Sequence, residues 1–242
     1  MKTSSTSGHV ADSSKEFISI QALVDNYLEE SFTSKPASDK PRQEALQLFS
    51  RCLNEYAYLN LSREEAEAYR NGRLDGKTFC QLFGPNKITA NIKYFAFTFL
   101  VCQKLGSPSV LERVAKVLEQ FCKWLAAKNF VSGDDMTQAI WCAVKAGKDL
   151  PRASRAEFLI AKECEQYKGR DERHNRKLGN SVISRIESHR IWLQPDSGKA
   201  IGPIAISPKI IEHLDADWEI DCAVRQFGKE WRIVEIGNIY PQ

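Results

Sequence analysis

The sequence predicts an α+β protein, an all-α helical bundle followed by a small antiparallel β-barrel. Three observations predict it. Up to about residue 167, apolar residues recur at the three- and four-residue spacing that puts them on one face of a helix. From Ser181 onward they alternate, as on a half-buried strand. Between the two runs lies YKGRDERHNRKLGN, residues 167–180, whose only strong feature is charge. The expected organisation is a disordered N-terminus over 1–17, a helical domain over 18–167, a basic linker over 168–180 and a barrel over 181–242.

The first helix should begin after Ser19 as N-cap, with Ile20, Leu23, Val24, Tyr27 and Leu28 on one face. TSKPASDKP, with two prolines, should interrupt it. A second helix then turns Ala45, Phe49, Cys52, Leu53 and Tyr56 inward. In SREEAEAYRNG, Ser62 and Glu65 have capping-box spacing, and Gly72 suits a left-handed position after the last turn. A short helix near 75–83 follows. The helix from Ile88 to Leu105, closed by Gly106, is apolar almost all round and should be central.

Ser107 should cap a long helix with Pro108 at its first position, burying Val110, Val114, Val117, Leu118, Phe121 and Leu125. Two more helices should fill 134–147 and 151–167, the first stopping at Gly147. In the barrel, Val182, Ile183, Ile186, Ile191 and Leu193 fit one long strand or a hairpin. IGPIAIS reads as a short strand, SPKIIEHL as one capped helix, and DWEIDCAVRQFG and KEWRIVEIGNIYP as two strands joined at FGKE. Three strands, a helix and two strands in about sixty residues fit an OB-like barrel, with an SH3-like barrel as the near competitor.

Composition excludes several classes. The apolar content of 43% is too high for a disordered chain. The best apolar run, YFAFTFLVC, falls far short of the ~20 residues a membrane span needs. The Ser/Thr-rich start has no hydrophobic run of the secretory kind, so a soluble, cytoplasmic protein without membrane association is expected. Seven cysteines without a CxxC or CxC pair argue against a disulfide framework or a zinc site, and read as small core residues. The four histidines share no ligand spacing, so no metal or cofactor is expected. The GKT at 76–78 is not a phosphate loop. Three residues rather than four separate Gly72 from Gly76, and no apolar strand precedes them.

Three segments carry a resemblance: ISIQALVDNYLEESF, RQEALQLFSRCLNEYAYLNLSREEAEAYRNG and SPSVLERVAKVLEQFCKWLAAKNFV. Together, over residues 19–131, they resemble the core-binding, SAM-like N-terminal domain of tyrosine recombinases and phage integrases. The likeness lies mostly in apolar spacing. It implies a helical domain that lays basic side chains on the DNA backbone, here Arg113, Lys116 and Lys123, although Glu112 and Glu119 flank that face. Recombinase catalysis is not expected. The chain after the likeness is too short for the family's catalytic domain, RHNR is not its box, and Tyr240 lies in a closing strand.

The most basic window is 168–190, with seven Lys and Arg against three acids; it contains Lys168, Arg170, Arg173, Arg176 and Lys177. A basic tether can follow phosphates without reading sequence, and it is equally the charge of a hydrated linker. The barrel has two more acids than bases. Asp215, Asp217, Glu219 and Asp221 alternate as on one side of a strand, which could meet a basic protein partner or simply face water. Trp218 and Trp231 fall in the apolar register and read as core. These residues point to a non-catalytic, DNA-associated accessory protein that contacts phosphate through the helical domain and linker. The alternative is a protein-interaction adaptor with no nucleic-acid role.

Overall fold

The Ser19 hydroxyl accepts the Ala22 N–H at 3.2 Å and opens α1 (Ile20–Ser31). The computed structural model describes residues 17–31, 36–104, 107–167 and 176–242. α2 (Pro36–Tyr56) starts inside the proline-bearing stretch. Pro36 takes its first position, where a missing N–H has no helical partner anyway, and Pro41 lies within the helix. A 3₁₀ turn (Ala57–Asn60) leads to α3 (Arg63–Leu74), whose capping box forms as expected: Glu65 N–H to Ser62 Oγ at 3.3 Å and Ser62 N–H to Glu65 Oε2 at 3.0 Å.

The expected role of Gly72 needs correction. It lies inside α3, where a Cβ would stand 2.5 Å from the Leu82 methyls, so close packing is what it serves. Gly76, at φ +77°, is the left-handed residue. Its N–H bonds to the Arg73 carbonyl and that of Lys77 to the Gly72 carbonyl, both at 3.0 Å, which is a Schellman closure.

After α4 (Phe79–Leu82), the central helix is built in three pieces: α5 (Asn86–Tyr94), a π turn (Phe95–Phe99) and α6 (Leu100–Cys102). Phe95, Ala96, Phe97 and Phe99 are all buried, matching its all-round apolar sequence. Its expected end at Leu105 and Gly106 lies outside the described residues. α7 (Pro108–Ala127) buries Leu111, Val114, Val117, Leu118, Phe121 and Leu125.

The two helices expected over 134–147 and 151–167 are one. α8 (Asp134–Cys164) runs for 31 residues through Gly147 and Pro151. Local propensity is overridden because packing holds the helix on both sides of the break. Met136, Ala139, Cys142, Ala143, Ala146 and Leu150 belong to the core of the helical bundle, and Ala153, Ala156, Ile160 and Cys164 to that of the barrel. Lys145, Asp149 and Arg152 add an ion-paired ladder across the proline. A 3₁₀ turn (Glu165–Tyr167) ends the helix.

The barrel has β1 (Arg176–Glu187), β2 (Arg190–Pro195), β3 (Ile201–Ala205), α9 (Pro208–Ile211), β4 (Glu219–Phe227) and β5 (Glu230–Tyr240). It closes in the order β1-β2-β3-β5-β4, with four antiparallel pairings and a parallel one between β3 and β5. β1 starts within the stretch read as linker, because Arg176 to Asn180 pair with Val224 to Asp221 on β4. Ile183, Ile191, Leu193, Ile204, Trp218, Ile220 and Val224 fill the interior, so Trp218 is core. The strand order leaves the outer face of β1, β2 and β3 facing away from this core.

Candidate functional site

The cations expected on α7 are exposed, but two of them are occupied. Lys116 Nζ donates to Glu119 Oε2 at 3.0 Å, and Lys123 Nζ to Glu119 Oε1 at 2.6 Å. The hydrogen bonds from Lys123 and then Lys116 hold the Glu119 carboxyl below the usual carboxylate range. Both pairs are at the surface, so each contributes little to stability. The carboxylate lies between the two lysines, and a phosphate arriving there would meet its charge. Arg113 lines a groove between α7 and α8 together with Glu112, Glu119, Val144 and Gly147. The face expected to hold phosphate is therefore a mixed-charge face.

Lys168, Arg170 and Arg173 lie outside the described residues. Arg176 and Lys177 are exposed at the start of β1. The structure thus places the predicted cations on two elements: α7, packed on α8 and α2, and β1, paired with β4 and β2.

Sequence reading missed Trp192. On β2 it lies between Ile191 and Leu193, both fully buried, so alternation turns it outward. A register shift on β1 between Ile183 and Arg185 leaves both Ser184 and Arg185 exposed. This bulge re-aims Arg185 across the strand, and its guanidinium carbon lies 4.6 Å from the centroid of the Trp192 ring. The Ser184 hydroxyl donates to the Trp192 carbonyl at 3.2 Å. Gly202 on β3 makes room for the indole, since a Cβ there would fall 2.5 Å from Trp192 Cδ1.

The segment that carries this pair is basic in sequence. Over 176–200 the cations are Arg176, Lys177, Arg185, Arg190 and Lys199, and the acids are Glu187 and Asp196. Arg185 contacts Glu187; the other four cations make no ion pair among the described residues. The remainder of the barrel, 201–242, has four basic residues and seven acidic ones. The barrel, which starts at Arg176, is thus neutral overall but divided, with 176–200 positive and the rest negative.

The acidic row expected on one strand is not one. Asp215 and Asp217 precede β4, and Asp217 takes the left-handed φ of +67°. Asp215 is bound by Arg152 of α8 at 2.6 and 3.1 Å, and that pairing holds its carboxyl below the usual range. Glu219 Oε1 accepts from Gln242 at 3.1 Å. Two of the four carboxylates therefore have structural partners.

Among the described residues no group of three His, Cys, Asp or Glu could hold a metal ion, and no helix is long and apolar enough to cross a membrane. Compared with protein-family models, curated proteins and solved structures, the chain matches none of them. What this geometry can do chemically is stack a planar group beside fixed positive charge.

Proposed function

We propose that the protein is a non-catalytic, DNA-associated accessory protein whose contact face is the β1–β2 ribbon of an OB-like barrel. The observation that supports this reading is the Arg185–Trp192 pair on an outward strand face, in a segment that also carries Arg176, Lys177, Arg190 and Lys199. Barrels of this kind bind oligonucleotides on a strand face, and on a duplex the cations would supply the phosphate contacts. Lys168, Arg170 and Arg173 precede Arg176 directly in the chain and would extend the same charge. The integrase-like helices would then serve as the scaffold that carries the barrel, not as its clamp, because Glu119 occupies Lys116 and Lys123.

The test is a titration of labelled duplex DNA at several salt concentrations. Neutralising four or five phosphates predicts a log–log salt slope of about −4. Replacing Arg176 and Lys177 together with alanine should flatten that slope by about 2, while Lys116→Ala with Lys123→Ala leaves it unchanged. No binding at micromolar protein in low salt overturns the proposal. A protein-interaction adaptor is then the reading that stands. It is favoured by Trp141 and Val144, each 51% exposed and one turn apart on α8 beside the α7–α8 groove.

A further inference from the structure

The helical bundle has an aromatic and cationic surface of its own, where the 3₁₀ turn Ala57–Asn60, the end of α3 and the turn into α4 meet. There a groove of about 640 Å³ is lined by Tyr56, Tyr58, Tyr69, Arg73, Lys77 and Phe79, among others. Tyr69 is buried, fixed edge-on to Phe79 at 5.8 Å. The Tyr58 ring lies parallel to it, within 10° at a centroid distance of 6.1 Å, yet remains 45% exposed. A buried ring therefore holds an exposed one in a fixed plane.

The charge around this step is one-sided. Arg70, Arg73 and Lys77 are exposed and make no ion pair among the described residues, and the Arg73 guanidinium carbon lies 6.0 Å from the Tyr69 centroid. Glu55, the acid lining the groove, is already bonded to Arg51 at 2.9 Å. Asp75 is the acid within 70–77, against three bases.

We propose that this groove holds a short stretch of single-stranded nucleic acid, one base stacked on Tyr58 and its phosphates beside Arg73 and Lys77. Pre-set aromatic planes next to unpaired cations are what sequence-tolerant strand binding requires. An acidic peptide would satisfy the charge but would leave the parallel rings without a planar group to continue their stack. The site is separate from the barrel face and does not depend on the reading of that face.

The test uses a labelled oligothymidylate in low salt, with the full chain. Tyr58→Ala should weaken binding roughly tenfold, and Tyr58→Trp should retain it. Arg73→Ala with Lys77→Ala should flatten the salt slope by about 1.4. Irradiating a bromodeoxyuridine-bearing strand should cross-link Tyr58 or its neighbours, identified by mass spectrometry. The assignment is overturned if Tyr58→Ala binds unchanged and cross-links fall only within 176–205, an outcome that leaves the barrel reading intact. It is equally overturned if poly-L-glutamate displaces the strand at equal charge, which would point to an acidic protein partner, or if the strand does not bind while duplex DNA does.

Discussion

Arg152 on α8 holds Asp215 of the barrel through two hydrogen bonds, at 2.6 and 3.1 Å. The same guanidinium lies 5.2 Å from the centroid of buried Trp218 and 3.6 Å from Asp149, itself only 2% exposed. One side chain thus joins the bundle's long helix to the barrel's core. Arg152→Ala should cost about 1–3 kcal/mol in denaturant unfolding, the range for hydrogen bonds between charged groups. Asp215→Ala should cost less, and the double variant less than the sum. The pH dependence follows from the lowered Asp215 pKa. Its contribution is complete above the unfolded carboxyl value of about 3.9 and is lost as pH falls through the lower folded value. The stability gap between the native protein and Asp215→Asn should stay constant from neutral pH to about 5, then close below about 4. An unchanged midpoint in Arg152→Ala would show that the pairing does not couple the two parts.

Glu157 behaves in the opposite sense. It lines a cavity of about 350 Å³ between α6, α8 and β5, where burial raises its carboxyl pKa despite Lys104 at 3.7 Å. A raised folded pKa means stability that is present at low pH and lost as pH rises through the folded value. Glu157→Gln should therefore raise Tm at pH 8 and leave it almost unchanged at pH 4. Equal shifts at both pH values would place the cause in packing instead of charge.

Much of the fold was legible because apolar spacing is a local signal. The faces of α1, α2 and α7, the Ser62–Glu65 box and the alternation in β4 could all be read directly. Gly147 and Pro151 misled because they are local breakers, and two cores that no local window contains keep α8 helical across them. Gly72 misled for a similar reason: the Leu82 methyls it accommodates lie on another element. At the site, Arg113, Lys116 and Lys123 were visible as charges, but whether a charge is free depends on rotamers, and Glu119 takes two of them. Trp192 was missed although its flanking Ile191 and Leu193 announce an outward position. The bulge that brings Arg185 over it has no marker in the residues themselves.

The cysteines offer a test of the buried surfaces. Six are buried and Cys102 is exposed, with its sulfur 3.8 Å from the Tyr240 hydroxyl. Burial pushes the thiols of Cys52, Cys80, Cys122 and Cys222 up to about 12, and that of Cys164 to about 11. The thiolate is the reactive form, so these groups are protected both by access and by protonation. An aromatic disulfide reagent at neutral pH should label one thiol quickly and the others only as the protein unfolds. Cys102→Ser should abolish the fast phase. Two or more fast thiols in the native protein would contradict the packing of α2, α4, α7, α8 or β4.

Gly202 gives the most direct test of the Trp192 platform. An alanine Cβ would lie 2.5 Å from Trp192 Cδ1, 2.8 Å from Cγ and 3.0 Å from Nε1, so the indole must move. The ring is only partly buried, and overpacking here should cost about 1–2 kcal/mol, within the usual range for an added methyl. Displacing the ring separates it from Arg185, so duplex affinity should fall further than stability alone requires. Trp192→Ala in the same chain removes the collision, because alanine lacks Cγ, Cδ1 and Nε1 alike. In that background Gly202→Ala should cost only its backbone strain at φ +158°, less than in the native protein, while the indole's contact area stays lost. Paired measurements of the unfolding midpoint and duplex affinity across the three variants separate these effects. If Gly202→Ala alters neither, the indole does not rest against β3 and the platform as described does not exist.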